Sequence, residues 1–241
     1  GLINKGAGVI VPILFTALVL SGFENFTAEH LAALSEAERQ AQISELSSRL
    51  VMPYVYMAIA LAFLIGLVKF SSLPELEFEG EDEHEEKGSI THFPQVVLGA
   101  LALFAYVGVE VIAGDTIGLY GESLGVNNFA SLTSYTMVFM VFGYIIGVTC
   151  IPKFISQEKA LLGSAIAGIL CVIGASLGSR ESTMIADILW GWSGIPVIPD
   201  TVTFVALMGL AHALVWPSIW PLALEGLGKY TAQGSALLIM G

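Results

Sequence analysis

The chain has 241 residues, of which 55% are apolar and 12% charged, and its formal net charge is −12. Few water-soluble domains of this size stay dispersed at such a ratio, so composition points first to a membrane protein. The acidic excess sits largely in two loops and argues against a nucleic-acid partner.

Six nearly uncharged stretches follow one another, most of them close to the roughly 20 residues that an α-helix needs to cross a bilayer. Short loops between such stretches favour helices over a barrel, because each helix satisfies its own backbone where water is absent. The expected fold is an all-α, polytopic membrane bundle.

The first stretch, Gly6–Ser21, is slightly short and opens in GLINKGAGVIVPIL. Asn4 stands there either as a helix N-cap or as a polar group within the span, and Gly6 and Gly8 suit close helix approach. In the loop Phe23–Arg49, Thr27 offers an N-cap, and Leu31, Leu34, Ile43 and Leu46 give a short surface helix an apolar side. The second stretch is Leu50–Val68. After it, ELEFEGEDEHEEKG (Glu75–Gly88) is dense in carboxylates and suits a hydrated linker, with His84 as a solvated histidine.

The third stretch, Phe93–Val109, leads into LFAYVGVEVIAGD, where Glu110 sits about 25 Å along the helix, in the outer half of its span. A carboxylate at the bilayer centre costs roughly 2.5–3.5 kcal/mol, so such a residue faces a cavity or a partner. Tyr106 and Gly114, four residues to either side, share its stripe. A structural alternative is a Glu hydrogen-bonded between helices.

The fourth and fifth stretches are Ala130–Pro152 and Ala160–Ser179. Cys150 and Cys171 lie within them and read as packing residues rather than a disulfide. No CxxC, HExxH or His/Cys cluster calls for a metal or cofactor. Trp190 and Trp192, in ADILWGWSGIPVIPD, fit an interfacial segment, because indole rings favour the headgroup level.

The sixth stretch, Thr201–Leu224, contains His212, Trp216 and Trp220 at intervals of four, on one face of a regular helix. Pro217 and Pro221 each remove a backbone donor and should bend it. Polar and aromatic groups on a bent helix suit a ligand site at mid-depth, although the tryptophans would equally serve as packing. The chain opens at Gly1 rather than Met and stops at Gly241 inside TAQGSALLIMG, which reads as a seventh helix cut short. A fragment is therefore expected.

If loops alternate sides, Lys5, Lys69, Lys87, Lys153, Lys159 and Lys229 fall on one face and Arg39, Arg49 and Arg180 on the other. That bias makes the lysine face cytoplasmic.

Three passages resemble the major facilitator superfamily, specifically its fucose:proton symporter family and the bacterial glucose/galactose branch. INKGAGVIVP is similar to that family's fifth helix, ALFAYVGVEVIAGD to its seventh, and ALVWPSIWPLALEGLGKYTAQGSALLIMG to its tenth running into the eleventh. The last carries Pro217, Pro221, Glu225, Gly228 and Lys229. FGYIIGVTCIPKFISQEKALL, with Gly143, Gly147 and Lys153, resembles the glycine-and-basic motif joining helices eight and nine.

The resemblance implies three segments: residues 1–70 end the N-terminal half-bundle, 71–92 form the acidic cytoplasmic linker, and 93–241 begin the C-terminal half. It implies secondary transport of a hexose such as glucose, galactose or fucose with a proton or sodium ion, by a monomer in the bacterial inner membrane. Asn4 matches the family's sugar-contacting asparagine, and Tyr106, Glu110, His212 and Trp216 match cavity-facing positions. The carboxylates that fucose symporters carry in helices one and four fall outside this chain. An exporter of drugs or other small molecules, or a non-transporting receptor or scaffold, are the alternatives.

The lysine count makes a topological prediction. A cysteine at Glu36 should react with an impermeant thiol reagent from outside, and one at Glu83 only after permeabilisation; the reverse pattern would invert the assignment.

Overall fold

A computed structural model describes residues 2–19, 34–71, 90–151 and 153–240. Among these described residues nine α-helices follow in order: α1 Leu2–Val19, α2 Glu36–Lys69, α3 Pro94–Ser123, α4 Leu132–Cys150, α5 Gln157–Leu177, α6 Met184–Trp190, α7 Asp200–His212, α8 Val215–Leu224 and α9 Thr231–Met240. Among the described residues, five helical segments are long and apolar enough to cross a membrane, and α1 is a shorter apolar helix. The protein is an all-α, multi-pass membrane protein, as composition and spacing lead one to expect.

The chain forms two compact units, one of Gly1–Leu14 with Gly88–Gly241 and the other of Phe15–Lys87. In the second, α2 runs for 34 residues with none of them buried. The expected surface helix and second span are therefore a single helix. Its start is fixed by a capping box, in which the Ser35 hydroxyl accepts from the Glu38 backbone and the Glu38 side chain accepts from the Ser35 backbone. No glycine or proline interrupts the chain before Pro53, so nothing ends the helix at the loop. Thr27 and the carboxylate-rich stretch with His84 lie outside the described residues.

In the first unit, α3 continues to Ser123, well past Val109. The glycines beyond Val109 are packing positions inside the helix. A Cβ on Gly121 would come within 2.2 Å of the Leu132 side chain, and one on Gly118 within 3.2 Å of the Phe129 carbonyl oxygen. The chain turns only at Gly125, whose positive φ of 72° favours glycine. Glu110 consequently lies near the middle of a 30-residue helix rather than towards its outer end.

Helices α4 and α7 approach closely. A Cβ on Gly209 would meet the Thr136 carbonyl oxygen at 2.1 Å, and one on Gly143 would meet the Ala213 Cβ at 2.5 Å and the Leu210 carbonyl oxygen at 2.9 Å. Gly147 makes room instead for the Leu214 side chain, whose Cδ2 would lie 2.4 Å from an added Cβ. Backbones approach this closely only where side chains are missing. Gly8 of α1 likewise receives Met137, whereas Gly6 has open space and does not serve close approach.

The sixth stretch breaks just before Pro217, whereas the helix after the break runs on through Pro221. α7 ends at His212, α8 starts at Val215, and Pro217 in the first turn of α8 cannot donate to the Ala213 carbonyl. Between α5 and α7, the buried Asp200 carboxylate accepts from the Ile185 backbone at 2.9 Å and so caps the start of α6. Trp190 differs from its expected headgroup placement. It is buried, donates from its indole nitrogen to the Pro196 carbonyl at 3.1 Å and packs beside Tyr135 and Phe139, while Trp192 stays exposed. Cys150 and Cys171 are both free.

Gly209→Ala should destabilise the bundle by about 1–3 kcal/mol, because the added methyl has only backbone to displace. Gly108→Ala, with no neighbour within 4 Å, should be neutral. Thermal unfolding in detergent distinguishes the two; equal midpoints would show that the α4–α7 approach is not tight.

Candidate functional site

A polar cavity in the first unit holds about 320 Å³ and is lined by Asn4, Lys5, Tyr106, Glu110, Tyr144 and Trp216, with Val107 and Val111. Its side chains come from α1, α3, α4 and α8. The volume lies at the small end of the range for small-molecule sites.

At its centre the Lys5 ammonium donates to the Glu110 carboxylate, joining α1 to α3 as an ion pair. Both side chains are largely buried, at 18% and 17% exposure. An intramembrane carboxylate requires a partner, and the chain supplies a cation rather than a neutral helix contact. Lys5 thereby leaves the set of face-marking lysines. It sits on the bundle side of α1, where Ser134 also donates to the Val9 carbonyl at 2.9 Å and fixes the helix against α4.

The sequence pattern alone does not reveal this partnership. Lys5 stands at the head of a span, where lysines commonly mark the cytoplasmic side, and 105 residues separate it from Glu110. Tyr144 was missed for a similar reason, since one phenol in the apolar run of α4 has no distinguishing spacing. Asn4 lies inside α1, which begins at Leu2, so it is not an N-cap; it is exposed and borders the cavity.

Tyr106 is buried and interacts with the Glu110 carboxylate. Its ring also meets the His212 imidazole edge-on, at 5.8 Å between centroids and 85° between planes. His212 itself lines a second cavity of about 570 Å³, between α3, α5 and the α7–α8 break, whose other walls are mostly aliphatic. There its Nδ1 is buried without a hydrogen-bond partner. Tyr106 borders both cavities, whereas Glu110 and Trp216 line only the first.

The shared face expected of His212, Trp216 and Trp220 is thus divided by the break after α7. Below it, Trp216 stacks on Trp220 with centroids 5.7 Å apart and planes 17° apart, and Trp216 keeps 37% of its surface exposed. Of the motif residues, Gly143 and Gly147 pack inside the bundle, whereas the charged ones lie outside both cavities. Lys153 is exposed with its ammonium 5.2 Å from the Phe154 ring, the Glu225 carbonyl accepts from Gln95 at 3.3 Å, and Lys229 lies 5.6 Å from the Tyr230 ring. Gly228 holds a φ of 50° in the turn before α9.

An amide, an ammonium, a carboxylate, two phenols and an indole converge here in an otherwise apolar bundle. This set hydrogen-bonds hydroxyl groups in both directions and offers an aromatic face to a ring.

The chain is similar to known sugar transporters along almost all of its length. A glucose/galactose transporter of Brucella abortus is 28% identical over 250 residues, which take in 98% of this chain and 51% of that protein. A putative glucose/galactose transporter of Helicobacter pylori strain J99 is 27% identical over 240 residues, or 98% of this chain and 52% of the other. The L-fucose-proton symporter of Escherichia coli K12 is 22% identical over 244 residues, covering 97% and 51% respectively. The chain spans about half the length of these curated relatives. No family profile and no solved structure matches it. Its homologues thus carry the names that the sequence resemblance implied.

Breaking the Lys5–Glu110 pair should cost stability. Lys5→Met or Glu110→Gln alone leaves a charge without its counter-ion and should lower stability by about 1–4 kcal/mol, and the double substitution should cost less than the two single changes combined. Thermal midpoints of the four proteins in detergent test the coupling; strictly additive shifts would mean that the two charges do not interact.

Proposed function

We propose that the chain forms part of a secondary transporter that carries a monosaccharide across the cell membrane, with the Asn4–Lys5–Glu110–Trp216 cavity on the sugar's path. The observation that carries this reading is the convergence of hydroxyl-binding groups and an indole face on one small cavity, in a chain whose relatives are named for glucose, galactose and fucose. Residues 1–70 and 93–241 then belong to the two halves of a major facilitator bundle, joined by the acidic segment between them. Transport proceeds by alternating access, as the halves rock about a site at mid-depth.

In this reading Glu110 accepts from sugar hydroxyls, Asn4 both donates and accepts, Tyr106 and Tyr144 offer phenolic hydroxyls, and Trp216 packs on the apolar face of the pyranose. His212 acts through Tyr106, holding the phenol edge-on and so aiming its hydroxyl. The coupling cation is a proton or sodium; the name of the fucose symporters favours the proton.

Counterflow of labelled hexoses in proteoliposomes tests the proposal, using a protein of the relatives' length that carries this chain. Wild type should exchange glucose, galactose or fucose. Trp216→Ala should weaken hexose affinity by roughly tenfold, and His212→Gln by less, because only the former removes a cavity wall. Exchange of amphipathic cations but not sugars would instead indicate an exporter, and no exchange of either would indicate a non-transporting role.

A further inference from the structure

We infer that Lys5 is a sugar-contacting residue, and that with Glu110 it forms a clamp of zero net charge that selects neutral polyols with adjacent hydroxyls over sugar acids and sugar amines. The inference rests on the sugar-transport reading above and adds to it a residue role and a specificity rule.

The geometry points this way in three steps. Lys5 and Glu110 both line the cavity, and among the described residues no other fully charged side chain borders it: the remaining polar walls are the amide of Asn4, the phenols of Tyr106 and Tyr144, and the indole of Trp216. The pair therefore sets the electrostatic character of the site, and it sums to zero. An ammonium has three donors and a carboxylate about four lone-pair positions, so one mutual hydrogen bond leaves capacity on both groups for a guest. The site thus offers a strong donor and a strong acceptor side by side.

A hydroxyl both donates and accepts. Of two neighbouring hydroxyls on a ring, one can accept from Lys5 while the other donates to Glu110, and both bonds are charge-assisted without adding net charge. A hexuronate gains from Lys5 but brings a like charge against Glu110. A hexosamine gains from Glu110 but meets Lys5. In a poorly solvated cavity the like-charge contact decides the outcome.

Competition for labelled hexose binding tests the clamp, in a purified protein of the relatives' length carrying this chain. Wild type should bind neutral hexoses and respond weakly to glucuronate, galacturonate, glucosamine and galactosamine. Glu110→Gln should lose about tenfold in hexose affinity and gain inhibition by the uronates, whereas Lys5→Met should show a similar loss and gain inhibition by the amines. Hexose affinity within twofold of wild type in both variants, or the same response to uronates and amines in all three proteins, would overturn the inference. If a single variant does not fold, Lys5→Met/Glu110→Gln, which leaves no unpaired charge, takes its place: a tenfold loss of hexose affinity supports the clamp and an unchanged affinity overturns it. Absence of hexose binding by wild type would instead overturn the sugar-transport reading.

Discussion

The close approach of α4 and α7 is the constraint from which most of the first unit follows. Gly209 against the Thr136 carbonyl and Gly143 against Leu210 and Ala213 bring two backbones together where no side chain would fit. In a bilayer, tails are as apolar as leucine, so helices associate by close packing rather than by escape from water. With α7 pinned, its end at His212 and the break before Val215 are fixed in depth. The break in turn sends His212 and Trp216 into different cavities, although four residues separate them in the chain.

Within that packed frame, the Lys5–Glu110 pair resolves a local conflict. A carboxylate in the middle of α3 is costly, and a lysine on the bundle side of α1 is equally so. Paired, each satisfies part of the other's requirement. The arrangement is not an economical way to stabilise a bundle, since apolar residues of similar volume often serve as well. The pair lies in the same cavity as an amide, two phenols and an indole.

Tyr106 links the two parts. It interacts with Glu110 in one cavity and meets His212 edge-on in the other, so the position of its hydroxyl depends on the break after α7 as well as on the ion pair.

Helical class, the number of apolar stretches and the break at Pro217 were legible in the sequence, because they rest on local rules: hydropathy over about 20 residues and the missing donor of proline. Glu110 and Trp216 stand out in the sequence because their chemistry is conspicuous against an apolar background, and both line the polar cavity. Helix ends were less so. The third stretch ends at Val109 by hydropathy but its helix runs to Ser123, and Ser35 starts a helix that hydropathy alone begins at Leu50. Lys5 shows the limit most clearly. Its charge is local and counts towards orientation, but its partner is 105 residues away, and only the crossing of α1 and α3 decides that the ammonium turns inward to Glu110 instead of marking the membrane surface. Composition settles which residues must be satisfied inside an apolar bundle; the tertiary fold settles by whom, because contacts between distant helices follow from packing and leave no periodicity in the chain.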